Sequence, residues 1–310
     1  MPKKNERYKY KKYMIYVNRM YFVLFGTLLT SLIASVCTTE QLSFSGGGAF
    51  GAVELGILKK IRESYPIKYD RYTGISAGGL NSGFLSHFID IDEGIREAEK
   101  MYSTIRNKDI YKLLPNTRDS LLNTHPLHKT LTEVITNLKS EPVVDTLIGT
   151  VNMYTGDLDI YKYNDNHSIE DKVLLLMCTS AIPIVFPPIK YKKYLYVDGG
   201  TLSNELLDIV HSTDYLNITY ITPYGMMEEN DAPISSITDM VTRTFQIVKR
   251  NYNNPFTRLN HQCDKPYGKI TYYYVDSKVL KEYSMLNFDK GTELISIGYN
   301  NMKSKTFTIC

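Results

Sequence analysis

Hydrophobic and polar positions alternate from residue 41 onward in a way that predicts a strand, a turn and a helix. Residues 41–45 predict a brief β-strand, and three glycines follow it directly. Beyond the glycines, apolar residues recur at helical spacing with charged residues outside them: Phe50, Val53, Ile57, Leu58 and Ile61.

The same arrangement begins again with a strand at 71–75 and a helix at 77–88, in which Gly79 and Gly83 allow a close approach to a sheet. Further helices are predicted at 92–103, 127–138, 170–178, 234–249 and 290–301, and further strands at 143–152, 158–163, 194–197, 215–222 and 269–275. Strands that are separated by helices favour an α/β fold with a largely parallel sheet. No repeat or linker follows Thr39, so residues 42–310 are predicted to form one domain.

Residues 1–41 have a different character from the rest of the chain. Seven Lys and Arg residues lie in the first twenty positions, although the net charge of the whole chain is only +3. An uncharged apolar stretch follows at 21–37, and as a helix it would span about 25 Å, slightly less than the roughly 30 Å of a bilayer core. This order predicts a membrane-associated protein with a single-pass signal anchor, or secretion after cleavage before Thr38. Nucleic-acid binding is not expected.

The overall composition, with 43% hydrophobic and 22% charged residues among 310, is typical of a folded globular protein. The four cysteines have no CxxC spacing and no histidine partner: Cys37, Cys178, Cys263 and Cys310. Neither a zinc site nor a disulfide framework is indicated, and no metal or other cofactor is expected.

The glycine turn has three interpretations. In Gly46-Gly47-Gly48-Ala49-Phe50-Gly51, glycine would let backbone N–H groups turn toward an anionic oxygen. The same residues satisfy the GxGxxG pattern of dinucleotide-binding folds, with Asp70 about twenty residues further on. A turn that merely reverses the chain is as compatible with the motif.

Gly74-Ile75-Ser76-Ala77-Gly78 is a GxSxG motif between a predicted strand and a predicted helix. At such a junction the serine is held in a strained turn that exposes its hydroxyl, and the helix N-terminus favours negative charge beside it. Ser76 could instead be a helix N-cap. The glycine turn one unit upstream favours catalysis, because acyl transfer needs an oxyanion site.

Asp198-Gly199-Gly200 follows the strand at 194–197 and by itself predicts a turn. A serine nucleophile needs a base, which makes Asp198 a candidate for that role. The chain has six histidines, none in a motif typical of the third member of a hydrolase triad: His87, His125, His128, His167, His211 and His261.

In their order, these motifs resemble the patatin-like phospholipases. The resemblance includes Ala181-Ile182-Pro183, Phe186-Pro187-Pro188 and Asn204, and it extends from Leu42 to about Lys303. It implies a three-layer α/β sandwich with a mostly parallel central sheet flanked by helices. It also implies a Ser76–Asp198 dyad, no metal, and an oxyanion hole at Gly46, Gly47, Gly48 and Ala49, supported by Gly51, Gly74, Gly78, Gly199 and Gly200.

Two positions depart from the family pattern. Phe50 stands where many members have Arg or Lys, and Leu206 stands where a proline is frequent. The first departure weakens the case for a phosphate-facing role at that position, whereas the second leaves the dyad untouched.

The expected function is a serine hydrolase of phospholipase A or lysophospholipase type, acting on membrane lipid or lipid droplets. A triacylglycerol lipase of the same fold is the near alternative. A dinucleotide-binding oxidoreductase and a catalytically silent membrane-attached protein are the alternatives from other classes.

Overall fold

The computed structural model describes residues 38–113, 119–165, 168–207, 215–225, 234, 240–241, 243–244 and 268–309. The apolar stretch 21–37 and nearly all of the helix predicted at 234–249 therefore lie outside the described residues. Within these ranges, no helix is both long and apolar enough to cross a bilayer. Residues 39–310 group into one compact unit.

The strands of the described residues are β1 Thr38–Phe44, β2 Arg71–Ile75, β3 Lys112–Leu113, β4 Leu122–Asn123, β5 Asp145–Asn152, β6 Leu158–Lys162, β7 Ile189–Tyr191, β8 Tyr194–Asp198, β9 Tyr215–Ile221, β10 Gly268–Tyr274 and β11 Lys303–Ile309. The α-helices are α1 Gly51–Ser64, α2 Ala77–Leu85, α3 Ile91–Thr104, α4 Asn107–Ile110, α5 His125–Leu138, α6 Ile169–Thr179 and α7 Gly291–Asn301. Short 3₁₀ turns lie at Gly48–Phe50, Gly199–Thr201, Ser277–Leu280 and Phe288–Lys290.

Nine of these strands form one sheet in the order β11-β10-β9-β1-β2-β5-β8-β7, with β6 paired to β5. The pairs β1/β2, β2/β5 and β9/β10 are parallel. Antiparallel pairs lie toward the two ends, at β10/β11, β5/β6, β5/β8 and β7/β8. With helices flanking this mixed sheet, the predicted α/β sandwich is confirmed.

The register of β5 brings two distant parts of the chain to one level of the sheet. Ile75, the last residue of β2, pairs with Gly149, and Asp198, the last residue of β8, pairs with Thr150. Adjacent residues of β5 are therefore next to the ends of both neighbouring strands. Ser76 and Asp198 must consequently lie close together.

The helices begin where local chemistry predicts. The Asp90 carboxylate accepts the Asp92 N–H at the start of α3, and the Ser168 hydroxyl accepts the Asp171 N–H at the start of α6. Each cap satisfies one of the N–H groups that a first helical turn leaves without a partner. In α5, Pro126 follows the first residue, where a missing N–H costs nothing.

Two apolar clusters fill the space between the sheet and the helices. One contains Leu42 and Phe44 of β1 together with the buried face of α1. The other joins Ile148 of β5 to residues of α5 and α6, among them Leu131 and Leu176. Alternate residues of the strands supply these contacts, as expected for a sheet that is covered by helices.

Helices α1 and α7 cross at two glycines with their backbones in contact. A Cβ at Gly56 would overlap the Ile295 carbonyl, and one at Gly298 would overlap the Val53 carbonyl. Only glycine permits this separation, so α7 is fixed against α1 by the absence of two side chains.

Most predicted elements are found within a few residues of their expected ends, and β2 has the predicted bounds. The predicted helix at 77–88 ends at Leu85. The short elements α4, β3, β4 and β7, as well as β11, were not predicted. In β11 (KSKTFTI), most side chains are exposed, so its sequence carries little apolar pattern and its pairing with β10 makes it a strand.

We expect Gly56→Ala to lower the free energy of unfolding by about 1–3 kcal/mol, because the added methyl forces α1 and α7 apart. Thermal or urea unfolding followed by circular dichroism measures this loss. Gly156→Ala is the control: a Cβ there meets nothing within 4 Å, and only its positive φ of 78° is unfavourable. A smaller loss at Gly56 than at Gly156 would contradict the close crossing.

Candidate active site

Ser76 occupies a sharp turn between β2 and α2. Its φ and ψ are 56° and −127°, a combination that is costly for a residue with a side chain. The Ser76 N–H donates to Thr179 Oγ1 at 2.9 Å, and the Thr179 hydroxyl donates to the Gly149 carbonyl at 2.6 Å. The turn is therefore held by the end of α6 and by β5, and not by α2 alone.

The two outer glycines of the GxSxG motif allow this turn to close. A Cβ at Gly74 would overlap the Gly78 carbonyl, and a Cβ at Gly78 would overlap the carbonyl of Ser45. The N-terminus of α2 thereby lies against the end of β1. Because no side-chain cap is present at Ser76, its hydroxyl is not used as an N-cap.

Asp198 is the last residue of β8, and its side chain is 4% exposed. The carboxylate accepts the Gly200 N–H at 2.7 Å, and the Ser76 hydroxyl is near enough to lower its pKa. The Asp198 N–H donates to the Ala181 carbonyl at 2.9 Å, which ties the strand end to the segment after α6. The structure thus brings together the serine and the aspartate that the sequence singled out.

Burial raises the pKa of the Asp198 carboxyl to about 7, whereas the nearby Ser76 hydroxyl and the hydrogen bond from the Gly200 N–H lower it. A buried carboxylate loses hydration that these polar neighbours replace only partly. The result is a carboxyl group that changes its protonation state near neutral pH. Such a group is suited to general-base chemistry.

The described histidines are engaged elsewhere. His87 is buried, its Nδ1 lies 2.6 Å from the Ser140 carbonyl oxygen, and burial lowers its pKa. His128, on α5, lies 3.3 Å from a Glu170 oxygen. Among the described residues, no histidine forms a hydrogen bond with Ser76 or Asp198. His167, His211 and His261 fall outside the described residues.

The glycine loop after β1 lies directly against the serine. A Cβ at Gly46 would be 2.9 Å from the Ser76 Cβ. Asn204 Nδ2 donates to the Gly46 carbonyl at 3.0 Å, and a Cβ at Gly200 would be 3.0 Å from both Asn204 Oδ1 and Asp198 Oδ1. Asn204 therefore connects the loop to the turn that carries Asp198, a structural role that sequence reasoning had not assigned to it.

The four predicted oxyanion donors are not all available for a hydrogen bond to a ligand. The Ala49 N–H donates to the Met285 carbonyl at 2.7 Å, so this donor is already occupied and the prediction for Ala49 needs correction. The N–H groups of Gly46, Gly47 and Gly48 reach no acceptor in the described part of the chain. Of the four predicted donors, these three therefore remain candidates.

The remaining motif glycines support the same site. Gly51 begins α1, where an added Cβ would lie 3.1 Å from Ala77 Cβ. Gly199 follows Asp198, and an added Cβ there would lie 2.7 Å from the Gly149 carbonyl oxygen. Both positions place backbone close to the serine turn.

A buried carboxyl that sequence reasoning missed joins the loop to α2. Glu54 is fully buried; it accepts the Ser45 hydroxyl at 3.0 Å and Asn81 Nδ2 at 3.1 Å. Asn81 Oδ1 in turn accepts the Tyr102 hydroxyl at 2.8 Å. Burial raises the pKa of the Glu54 carboxyl, while the hydrogen bonds from Ser45 and Asn81 lower it. The one hint in the sequence is an acid inside the apolar run of α1.

Asp70 does not fit the dinucleotide interpretation. It precedes β2 and accepts the Glu40 N–H at 2.9 Å, at the amino end of a parallel strand pair. The glycine loop lies at the carboxyl end of the same pair, about 16 Å away for a strand of five residues. A dinucleotide could not place its pyrophosphate on the loop and the adjoining ribose on Asp70 at this separation, so the interpretation that relied on this spacing is wrong.

Metal-binding side chains do not gather anywhere in the described residues: no group of three or more His, Cys, Asp or Glu is placed to hold an ion. Cys178 is a free, buried thiol whose pKa is raised by burial. Neither observation alters the chemistry available at Ser76.

The patatin-like phospholipase family matches residues 42–211, more than half of the 310 residues, and this span contains every motif residue described above. The chain belongs to the patatin-like phospholipase family. This membership places it among the lipid ester hydrolases. No protein with a curated description matches the chain.

Two solved structures are similar at low identity. VipD from Legionella pneumophila is 13% identical, with 86% of this chain and 68% of VipD covered and a TM-score of 0.39. The ExoU–SpcU heterodimer from Pseudomonas aeruginosa includes a chain that is 13% identical, with 88% of this chain and 54% of that one covered and a TM-score of 0.36. At these scores neither structure extends the family assignment.

We expect Asp198→Asn to make the protein more stable at alkaline pH. The folded pKa of about 7 is above the ordinary value of 3.8, so the folded state keeps its proton between these values while the unfolded state releases it. Wild-type stability therefore falls as pH rises through this window, by up to about 4 kcal/mol, and an amide removes that loss.

Urea unfolding of both proteins from pH 4 to pH 8 measures this difference. The two should be similar near pH 4, where both side chains are neutral, and should diverge as pH increases. Asp157→Asn, at an exposed turn position, is the control. A constant difference across the range would contradict a raised pKa at Asp198.

Proposed function

We propose that this chain is a lipid acyl hydrolase that cleaves fatty-acyl esters with Ser76 as nucleophile and Asp198 as base. The observation that carries the proposal is the sheet register, by which the Ser76 turn lies beside a buried Asp198 carboxyl whose pKa is raised to about 7. A carboxyl of ordinary pKa is too weak a base for a serine alcohol, and burial reduces this mismatch.

In the first half-reaction, the Asp198 carboxylate accepts the Ser76 proton as the serine oxygen attacks the acyl carbonyl carbon. The carbonyl oxygen becomes an oxyanion that the N–H groups of Gly46–Gly48 stabilise. The tetrahedral intermediate then expels the alcohol, which takes the proton from Asp198. An acyl-enzyme on Ser76 is left.

In the second half-reaction, water attacks the acyl-enzyme while Asp198 accepts one of its protons. Collapse of the second tetrahedral intermediate releases the fatty acid, and the proton returns to Ser76. No redox partner is required, because every bond broken is balanced by one formed. The same base serves both halves.

For the substrate, we propose a phospholipid or lysophospholipid, with triacylglycerol as the alternative. Phe50 bears on this choice because it is buried and packs edge-on against Tyr224, with ring centroids 5.7 Å apart. This position therefore presents no cation to a phosphate. A head group must be recognised elsewhere, or contribute little.

We also propose that the enzyme acts at a membrane surface, with residues 21–37 as its anchor. An enzyme that takes acyl chains from an insoluble aggregate benefits from being held at the surface of that aggregate. Support for this part of the proposal comes from the order of charged and apolar residues alone.

Ser76→Ala and Asp198→Asn should each lower ester hydrolysis at least about 10³-fold, because each removes one member of the unit that activates the alcohol. Phosphatidylcholine vesicles, lysophosphatidylcholine and triacylglycerol emulsions, assayed in parallel, measure the loss and identify the preferred lipid. A fluorophosphonate probe should label wild type and not Ser76→Ala.

Ser304→Ala, at an exposed position of β11, should behave like wild type in every assay. Retained turnover in either dyad variant would remove the assigned mechanism. Absence of turnover in correctly folded wild type would instead favour the catalytically silent alternative.

The rate kcat/KM should rise with pH through about 7 and then level off. Below this pKa, Asp198 carries a proton and cannot accept another from Ser76; above it, the carboxylate is available. Initial rates on a soluble chromogenic ester between pH 5 and pH 9 give the profile. A profile that is already flat from pH 5 upward would exclude a base with a raised pKa.

A further inference from the structure

An apolar cavity opens beside the serine and runs along one face of α2. The helix contributes Ala77, Leu80, Asn81 and Phe84, which recur at helical spacing and so form a single stripe. The opposite walls come mainly from α3 to α6 and the turn at Phe288, and they include Tyr102, Thr130, Tyr163 and Leu176.

One end of the cavity lies next to the serine turn and the glycine loop. Ala77 directly follows Ser76, and Gly48 belongs to the proposed oxyanion loop; both line the cavity. A carbonyl group held between the serine hydroxyl and the glycine N–H groups would therefore have its substituent at this opening.

The interior offers almost nothing to water. Its polar side chains are bonded to protein groups: Asn81 to Glu54 and Tyr102, and Thr130 to the Asp109 carbonyl at 2.8 Å. A water molecule needs two or more polar partners to stay in a buried site, whereas apolar cavities bind hydrocarbon. The chemistry of the walls therefore selects an apolar ligand.

The cavity is also large enough to matter for packing. Its volume is about 70 Å³, where about 10–15 Å³ by the same measure suffices for one water. Unfilled apolar space forfeits dispersion contacts and lowers stability. Filling that space with part of a substrate would recover those contacts during binding.

The depth of the cavity follows from α2. From Ala77 to Phe84 the helix advances seven residues, or about 10.5 Å. Beside Phe84 the helix packs closely against the opposite wall: an added Cβ at Gly83 would be 3.0 Å from Leu176 Cδ2 and 3.5 Å from Tyr163 Cζ. A fully extended chain advances about 1.2 Å per bond, so about eight or nine carbons fit.

We propose that this cavity is the acyl-chain pocket of the enzyme, and that it accepts a medium-length chain of about eight carbons in full. The proposal rests on the proposed function, because the end of the pocket that receives the ester is identified by taking Ser76 as the nucleophile. It adds that Leu80 and Phe84 determine which acyl lengths are hydrolysed best. In chains longer than this, the additional methylenes do not raise kcat/KM further.

The experiment is a series of p-nitrophenyl esters, from acetate through butyrate, octanoate and dodecanoate to palmitate, assayed with the full chain. We expect kcat/KM to rise about threefold to fourfold per methylene up to about octanoate, and then to stop rising. A series with no dependence on length, in an active enzyme, would overturn the pocket and leave the dyad intact.

Two variants should move the chain length at which kcat/KM stops rising, in opposite directions. Leu80→Phe fills the pocket one turn from the serine and should lower the octanoate-to-butyrate ratio of kcat/KM at least about tenfold. Phe84→Ala opens the far end and should extend the rise toward dodecanoate. The matched control is Leu113→Phe, at an 80% exposed position outside the cavity lining, which should leave the profile unchanged.

If kcat/KM changed by the same factor for every ester in both Leu80→Phe and Phe84→Ala, the proposal would be contradicted, because loss of fold or of catalysis affects every chain length alike. Circular dichroism verifies folding, and Phe84→Ala alone carries the test if Leu80→Phe does not fold. Calorimetric binding of octanoate, present in wild type and weakened at least about tenfold in Leu80→Phe, tests the pocket without turnover. Failure of the proposed function would thus appear as octanoate binding without ester hydrolysis.

Discussion

The position of β5 between β2 and β8 is the constraint on which the site depends. Because β5 is parallel to β2 and antiparallel to β8, two strand ends that are far apart in sequence meet at Gly149 and Thr150. A one-residue slip in either pairing would turn Ser76 or Asp198 toward the other face of the sheet. The proximity of these residues is therefore a property of the sheet register as much as of the two side chains. Asp198 is buried where the end of β8 lies between β5 and the segment after α6, and this burial raises its pKa.

Around this pair, polar contacts hold the backbone in place, and apolar side chains form the walls of the adjacent cavity. Asn204 binds the Gly46 carbonyl, and Thr179 binds the Ser76 N–H, so the loop and the serine turn each have an anchor from a distant element. Glu54 joins β1 to α2 from within the core. Buried carboxyl groups are tolerated where neighbouring donors satisfy their oxygens, as happens at both Glu54 and Asp198.

Much of the fold could be predicted from local pattern, because β2, α1 and the glycine-flanked serine are encoded by neighbouring residues. The order of the motifs also identified the family that the comparison confirmed. Hydrogen-bond partners from distant segments could not be predicted. Nothing near Ala49 in the sequence indicates that the Met285 carbonyl accepts its N–H. Glu54 was missed since helical periodicity gives no reason to expect a buried acid. The spacing between the glycine motif and Asp70 suggested a dinucleotide site that the structure does not have. Spacing alone does not say at which end of a strand a residue lies.

The contact at Met285 has a consequence for the boundaries of the catalytic unit. The family match ends at residue 211, yet Gly48 and Ala49 rest on a carbonyl from residue 285, and Gly56 packs on Ile295 of α7. Strands β9 to β11, which extend the sheet beyond β1, also come from after that boundary. The described residues beyond this boundary are thus an integral part of the domain, and a fragment cut at the edge of the sequence homology would lack the support beneath its own glycine loop.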